Sequence, residues 1–207
     1  NSYSANTDEV RTVAGIVSTR LWNTLFLASV TALVAVPLAI GLGILCALYR
    51  NGPLDRGINA LTLTTVSAPE FFLAYILMLF LAVKFRVFPS LANISDAMPL
   101  DQKLYKIALP VLTLTLVITA HMMRMTRAAI IGVLGQPYIE MARCKGLSPS
   151  RIVLRHALPN AWAPIANVVA FSLSFLIVGV VVVEIAFAYP GIGQTMVDAV
   201  RSRDVPV

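Results

Sequence analysis

Glu70, His121 and Glu184 are ionisable side chains set inside otherwise apolar runs of the chain. At membrane depth such a group is a candidate for moving a proton or a cation, and in an ion-driven carrier any of the three could be the coupling residue. Each also has a structural reading. Glu70 follows Ser67, Ala68 and Pro69 at a place where a helix would start, and the free N–H groups there favour a carboxylate. Glu184 precedes the turn-rich stretch AYPGIG (188–193), whose backbone donors it can cap. A lone histidine in an apolar run is more often an interior group with a partner than a ligand. No catalytic constellation appears, because serines, acids and the two histidines are dispersed over different runs. Cys46 and Cys144 lie far apart without metal-ligand spacing, and no G-x-x-x-x-G-K-[ST] phosphate loop is present. The sequence therefore predicts no catalytic residue, no metal site and no cofactor in this chain.

The elements that must position these groups are membrane helices. Of 207 residues, 58% are hydrophobic and 13% charged, and the mean hydropathy is +0.81, which places the chain among integral membrane proteins. The net charge of +6 does not indicate nucleic acid. Its Lys and Arg residues flank the apolar runs, where they meet lipid headgroups.

Residues 1–20 are polar and read as an exposed loop. Leu21–Tyr49 carries no charge and as a helix would span about 43 Å, more than a hydrocarbon core of about 30 Å. Pro37 kinks this span, and Gly41 and Gly43 permit close packing. After the turn RNGPLDRG (50–57), a second span is expected over 58–83, broken near Pro69. Residues 84–106 form an exposed connection. A third span over 107–133 starts near Pro110 and contains His121, Arg124 and Arg127; the two arginines share a helix face and are assigned to headgroup snorkelling. A fourth span is expected over 161–188. Four spans place both ends of the chain on one side, with eight basic residues on each side of the membrane, so charge counting leaves the orientation nearly open. The chain lacks an initiator Met and ends at RDVPV, as an internal fragment of a longer subunit would.

Between the third and fourth spans lies a polar, basic island, YIEMARCKGLSPSRIVLRHALPN (138–160). Its punctuation predicts two short helices joined by a tight turn. Pro137 fits a first helical turn, Gly146 supplies the positive φ that ends a helix, and Ser148 followed by Pro149 reads as the N-cap and first residue of the next. Pro159 is expected to end or kink that second helix. Tyr138, Ile139, Ala142 and Leu147 offer apolar contacts, while Glu140, Arg143 and Lys145 stay wet. Such a segment is more than a reversal between spans needs, and it has the character of a surface that meets another protein.

The island resembles the EAA signature of bacterial ABC importer permeases. In that signature an EAA triplet is followed by three residues, a Gly, nine residues and I-x-L-P, matched here by Glu140, Met141, Ala142, Gly146, His156, Leu158 and Pro159. Met141 stands for Ala and His156 for Ile. The words GQPYIEMARCKGLS, RHALPNA, VVVEIAFAYPGIG and RDVPV are similar to the dipeptide, oligopeptide and nickel branch of binding-protein-dependent permeases.

The resemblance implies an all-α integral membrane protein with the type I importer bundle. Four of six spans would be present, with residues 1–18 an external loop and 19–207 a transmembrane domain incomplete at its C-terminal end. It also implies a multi-pass protein of the bacterial inner membrane, in contact with lipid and not with nucleic acid. The partners would be a second permease subunit, two cytoplasmic ATP-binding subunits and an extracytoplasmic solute-binding protein. ATPase coupling would fall to Tyr138, Glu140, Ala142, Lys145, Gly146, Leu147, Leu158 and Pro159, with Glu70 and Glu184 as weak candidates for the substrate path. Peptides, glutathione-like solutes and nickel chelates fit the branch. Two other classes remain: an ion-driven carrier, and a membrane-anchored protein that uses the island only for docking.

Overall fold

A computed structural model describes residues 13–95 and 98–202, which are helical apart from short turns and a longer connection between Lys84 and Leu100. Helix α1 is Val13–Leu48, α2 Pro53–Ser67 and α3 Glu70–Leu77, the last widening into a π-helical stretch, Met78–Lys84. Helix α4 is Leu100–Leu134 and α5 Pro137–Cys144. A single turn, α6 (Pro149–Arg151), passes through π-helical Ile152–Ala157 into α7 (Leu158–Ala186), and α8 is Ile192–Ser202. Among the described residues, three helical segments are long and apolar enough to cross a membrane, or four if the broken pair α2 and α3 counts as one span.

Helix boundaries differ from the expected spans in a consistent direction. Helix α1 starts at Val13 rather than Leu21, so its first turns lie within the expected opening loop; residues 1–12 of that loop lie outside the described residues. Helix α4 starts at Leu100, ten residues before Pro110, which sits inside it. The fourth span is part of one helical run that begins at Pro149. Apolarity reports the stretch that lipid can cover, whereas helices continue into polar residues whose side chains reach water.

The break before Glu70 follows from local chemistry. The hydroxyls of Thr64, Thr65 and Ser67 donate to carbonyls four residues back, so the Thr-rich end of α2 satisfies its own polar groups without a partner helix. Ala68 is extended (φ −91°, ψ 136°), as the residue before a proline prefers. Pro69 cannot supply the next helical N–H. Glu70 then opens α3 from its first turn.

Contacts divide the chain into two compact units. One takes residues up to Thr31, Glu70–Leu114 and Ile177 onward; the other takes Ala32–Pro69 and Thr115–Leu176. In the second unit, Ile130 and Leu134 of α4, Ile139 and Ala142 of α5, and Ile152, Val153, Ala157, Ala161 and Ile165 form one buried apolar cluster with Ala47. Gly43 of α1 lies against α4 so closely that an added Cβ would meet Thr126 Cγ2 at 2.8 Å, whereas Gly41 faces open space. Large apolar side chains such as Leu33, Phe171 and Val178 are exposed. That is the surface expected of a chain whose surroundings are hydrocarbon rather than water.

Candidate functional site

The island folds as its punctuation predicts as far as its first turn. Pro137 takes the start of α5, and Gly146 has φ +74°. The Leu147 N–H donates to the Ala142 carbonyl (3.3 Å) and the Gly146 N–H to the Arg143 carbonyl (2.9 Å). These are the two bonds of a Schellman closure, which needs a left-handed residue at the glycine position. Ser148 holds the N-cap position of α6 with Pro149 next, but its hydroxyl makes no capping bond.

Pro159 does not end the second helix. It stands in the first turn of α7, directly after the π-helical residues Ile152–Ala157. Proline lacks an N–H to donate to residue i−4 and crowds that carbonyl in a regular helix, and a wider π turn is one way for a helix to pass through such a place.

The coupling candidates fall on two faces. Ile139 and Ala142 are buried, and Leu147 and Leu158 pack beside them on the apolar cluster. Tyr138, Glu140, Met141, Arg143, Lys145, Gly146 and Pro159 are exposed. Ala142, Leu147 and Leu158 thus brace the island on its own chain, and the outward set stays exposed.

Glu184 lies in a different setting, within the other unit. It is fully buried. The Thr24 hydroxyl donates to its Oε1 (2.6 Å) and the Gly193 N–H to its Oε2 (2.8 Å). Thr24 in turn accepts from the Ile192 N–H (2.9 Å). Asn23 completes the knot, its side-chain amide donating to the Pro190 carbonyl (2.9 Å) while its own carbonyl accepts from the Tyr189 hydroxyl (2.8 Å). Burial, with the Glu184 carboxylate nearby, pushes the Tyr189 phenol above the usual tyrosine range, so it remains a donor. Glycines are required by close approach: a Cβ on Gly191 would overlap the Glu184 carboxylate, and one on Gly193 would meet Val181 Cγ1 at 2.6 Å.

Glu70 is half-buried and has no hydrogen-bond partner among the described residues; its Oε2 lies 3.0 Å from where a Cβ on Gly179 would stand. His121 is exposed rather than interior, its ring centroid 6.1 Å from that of Phe175.

Arg127 overturns its assignment to headgroup snorkelling. Its Nε and Nη2 donate to Asp55 Oδ1 and Oδ2 at 2.7 and 2.6 Å, and the Asp55 side chain is only 3% exposed. Asp55 also accepts from the Asn51 N–H (2.9 Å) and the Asn59 amide (2.7 Å). This forked pair ties the start of α2 to α4. The sequence carried one hint of it, an acid set between Arg50 and Arg56.

The family described as "Binding-protein-dependent transport system inner membrane component" matches residues 39–207. A protein of Sinorhizobium fredii named "Probable peptide ABC transporter permease protein" is 34% identical over 195 residues, 94% of this chain. The glutathione transport system permease protein of Escherichia coli K12 is 34% identical over 197 residues, 95% of this chain. The chain spans 62% of the length of each relative. In fold it is similar to a solved structure of the MetNI methionine ABC transporter in inward-facing conformations, with TM-score 0.66 at 18% identity, covering 95% of this chain and 93% of that one. With its apolar helices and the EAA-type island in place, the chain belongs to the family of binding-protein-dependent transport system inner membrane components, as a multi-pass protein of the bacterial inner membrane.

Proposed function

We propose that this chain is a permease subunit of an ATP-driven ABC importer, forming half of the translocation path for peptides or a related small solute, with nickel chelates within the same chemical reach. A second permease subunit supplies the other half of the path. Two cytoplasmic ATP-binding subunits hydrolyse ATP, and an extracytoplasmic solute-binding protein delivers the solute. The observation that carries this reading is the two-faced island, whose inner face is packed on its own chain while Tyr138, Glu140, Met141 and Lys145 stay exposed.

An island fixed by backbone bonds and an apolar inner face can transmit displacement. A partner that moves the outer face moves Ile139, Ala142 and Leu147 with it, and through them the ends of the helices on which they rest. Coupling then requires that contacts with the ATPase differ between its ATP-bound and product-released states, because equal affinity for both shifts nothing. Glu70 is the acid available to the path, since both oxygens of Glu184 are engaged in the buried knot.

Orientation is tested by labelling. A cysteine placed at Asn93 should react with an impermeant reagent added from outside, and one at Ser148 should not. Coupling is tested with Gly146→Val, whose left-handed backbone a β-branched residue resists by about 1–2 kcal/mol, and with Glu140→Lys. Purified complexes of either variant should contain the permease at normal level but less ATPase subunit, or lose hydrolysis stimulated by loaded binding protein. The Glu140→Lys defect alone should depend on salt. Full assembly and full stimulation in both variants would overturn the coupling role. Solute uptake abolished by an uncoupler with ATP present would instead favour an ion-driven carrier.

A further inference from the structure

Asp55 is forked with Arg127 and Glu184 is closed in its knot, but neither oxygen of Glu70 meets a donor among the described residues. Its place in the first turn of α3 offers a structural use, as a cap for the free N–H groups there. The side chain makes no such bond. Its carboxylate lies along α7 within the same unit, with Oε2, Oε1 and Cδ at 3.0, 3.2 and 3.4 Å from where a Cβ on Gly179 would stand. Gly179 is inside α7, where glycine costs about 1 kcal/mol against alanine, and its bare backbone makes the room that the carboxylate occupies. Along that stretch of α7 each N–H already serves its own helix, so the surface beneath the carboxylate has no donor to give. A half-buried carboxylate with accepting capacity on both oxygens suits a donor carried in from outside the chain.

We propose that the Glu70 carboxylate, seated against Gly179, receives the primary ammonium group of the solute in transit, such as the free amino terminus of a peptide. An ammonium brings three N–H donors and a compensating charge to a lone carboxylate. A metal ion matches less well, because no group of three His, Cys, Asp or Glu side chains stands together among the described residues. One charged contact also holds a cation loosely enough to release it, as a path requires. The proposal rests on the reading of the chain as a permease for peptides or a related small solute.

The test uses the complete transporter with full-length permease, reconstituted in liposomes with ATP inside and saturating solute-binding protein outside. The probes are a library of unblocked dipeptides and tripeptides with glutathione, and the same compounds acetylated at the amine. Uptake is read by mass spectrometry. Glu70→Gln keeps the size of the side chain without its charge, and it should lower uptake of unblocked solutes by about tenfold, the scale of a hydrogen bond to a charged group. Glu70→Asp should keep most of the uptake, and Gly179→Ala, whose methyl displaces the carboxylate, should fall between Glu70→Gln and the wild type. Hydrolysis stimulated by loaded binding protein and the melting temperature should match the wild type in all three. Acetylated solutes that the binding protein delivers should cross the wild type and Glu70→Gln at equal rates. Wild-type uptake by Glu70→Gln, or equal loss of unblocked and acetylated solutes, overturns the proposal and leaves the permease reading standing. Loss of stimulated hydrolysis or of thermal stability together with uptake in Glu70→Gln assigns the residue to the bundle rather than to the solute, and also overturns it. If the wild type shows no ATP-driven uptake of any probe, the permease reading fails for these solutes and the proposal falls with it.

Discussion

The island and the Glu184 knot are both turns next to a membrane helix, and they are held in opposite ways. The island is closed by backbone bonds around Gly146 and by a few small apolar contacts, and its polar side chains remain outside. The knot is closed by side chains: Thr24, Asn23, Glu184 and Tyr189 spend their polar atoms on one another and on the 190–193 backbone. A turn of the first kind can keep its shape while its side chains serve a partner. A turn of the second kind has no polar side chain to spare, and its sequence is committed to holding α1 against the end of α7.

The largest effect should come from breaking the knot. Gly191→Ala forces a methyl onto the Glu184 carboxylate, and overpacking added to lost hydrogen bonds should cost about 3 kcal/mol. Glu184→Gln places an amide where two donors now converge and should cost about 2 kcal/mol. Both variants should accumulate poorly in the membrane and unfold at lower temperature in detergent; normal yield with altered solute preference in Glu184→Gln would move that residue from the knot to the path. Gly146→Val should show the converse, with full yield and an unchanged melting temperature of the spans but poor coupling. A drop in its yield matching that of Gly191→Ala would erase the contrast between the two turns.

Tyr189→Phe sharpens the comparison by removing one donor while keeping the ring. It should lower stability by about 1 kcal/mol, the ordinary net worth of a buried hydrogen bond, measured by thermal unfolding beside the wild type. Ser148→Ala should have the smallest effect. Loss of an N-cap hydroxyl commonly costs about 1 kcal/mol, but here the hydroxyl makes no capping bond, so a change below about 0.3 kcal/mol is expected. A full capping loss on the same assay would show that the serine side chain does close this turn.

How much could be read in the sequence follows from the same division. Gly146, Pro137, Pro149 and Pro69 act on their immediate neighbours, and each of these turns and breaks was legible from residue type alone. The knot was legible only as an acid beside a turn, because Thr24 lies 160 positions from Glu184 and nothing local marks it as the partner. The Asp55–Arg127 pair, separated by 72 positions, is hidden for the same reason, since the residues around Arg127 mark no partner for it other than lipid headgroups. Pro159 left two outcomes open, an end or a kink, and the structure excludes the end. A proline announces a lost hydrogen bond, but whether the helix stops or widens around the loss depends on what the following apolar run gains by staying helical.

The forked Asp55–Arg127 pair has an evolutionary consequence. Removing one member of a largely buried pair strands the other charge and costs about 3 kcal/mol, while replacing both by apolar residues of similar volume can be nearly neutral. Single steps away from the pair therefore descend into a valley that double steps avoid. Among descendants of this sequence the two positions should change together or not at all, and a lineage carrying Leu or Met at 55 should carry an uncharged residue at 127. Any survey of variation at these two sites should find the mixed combinations depleted.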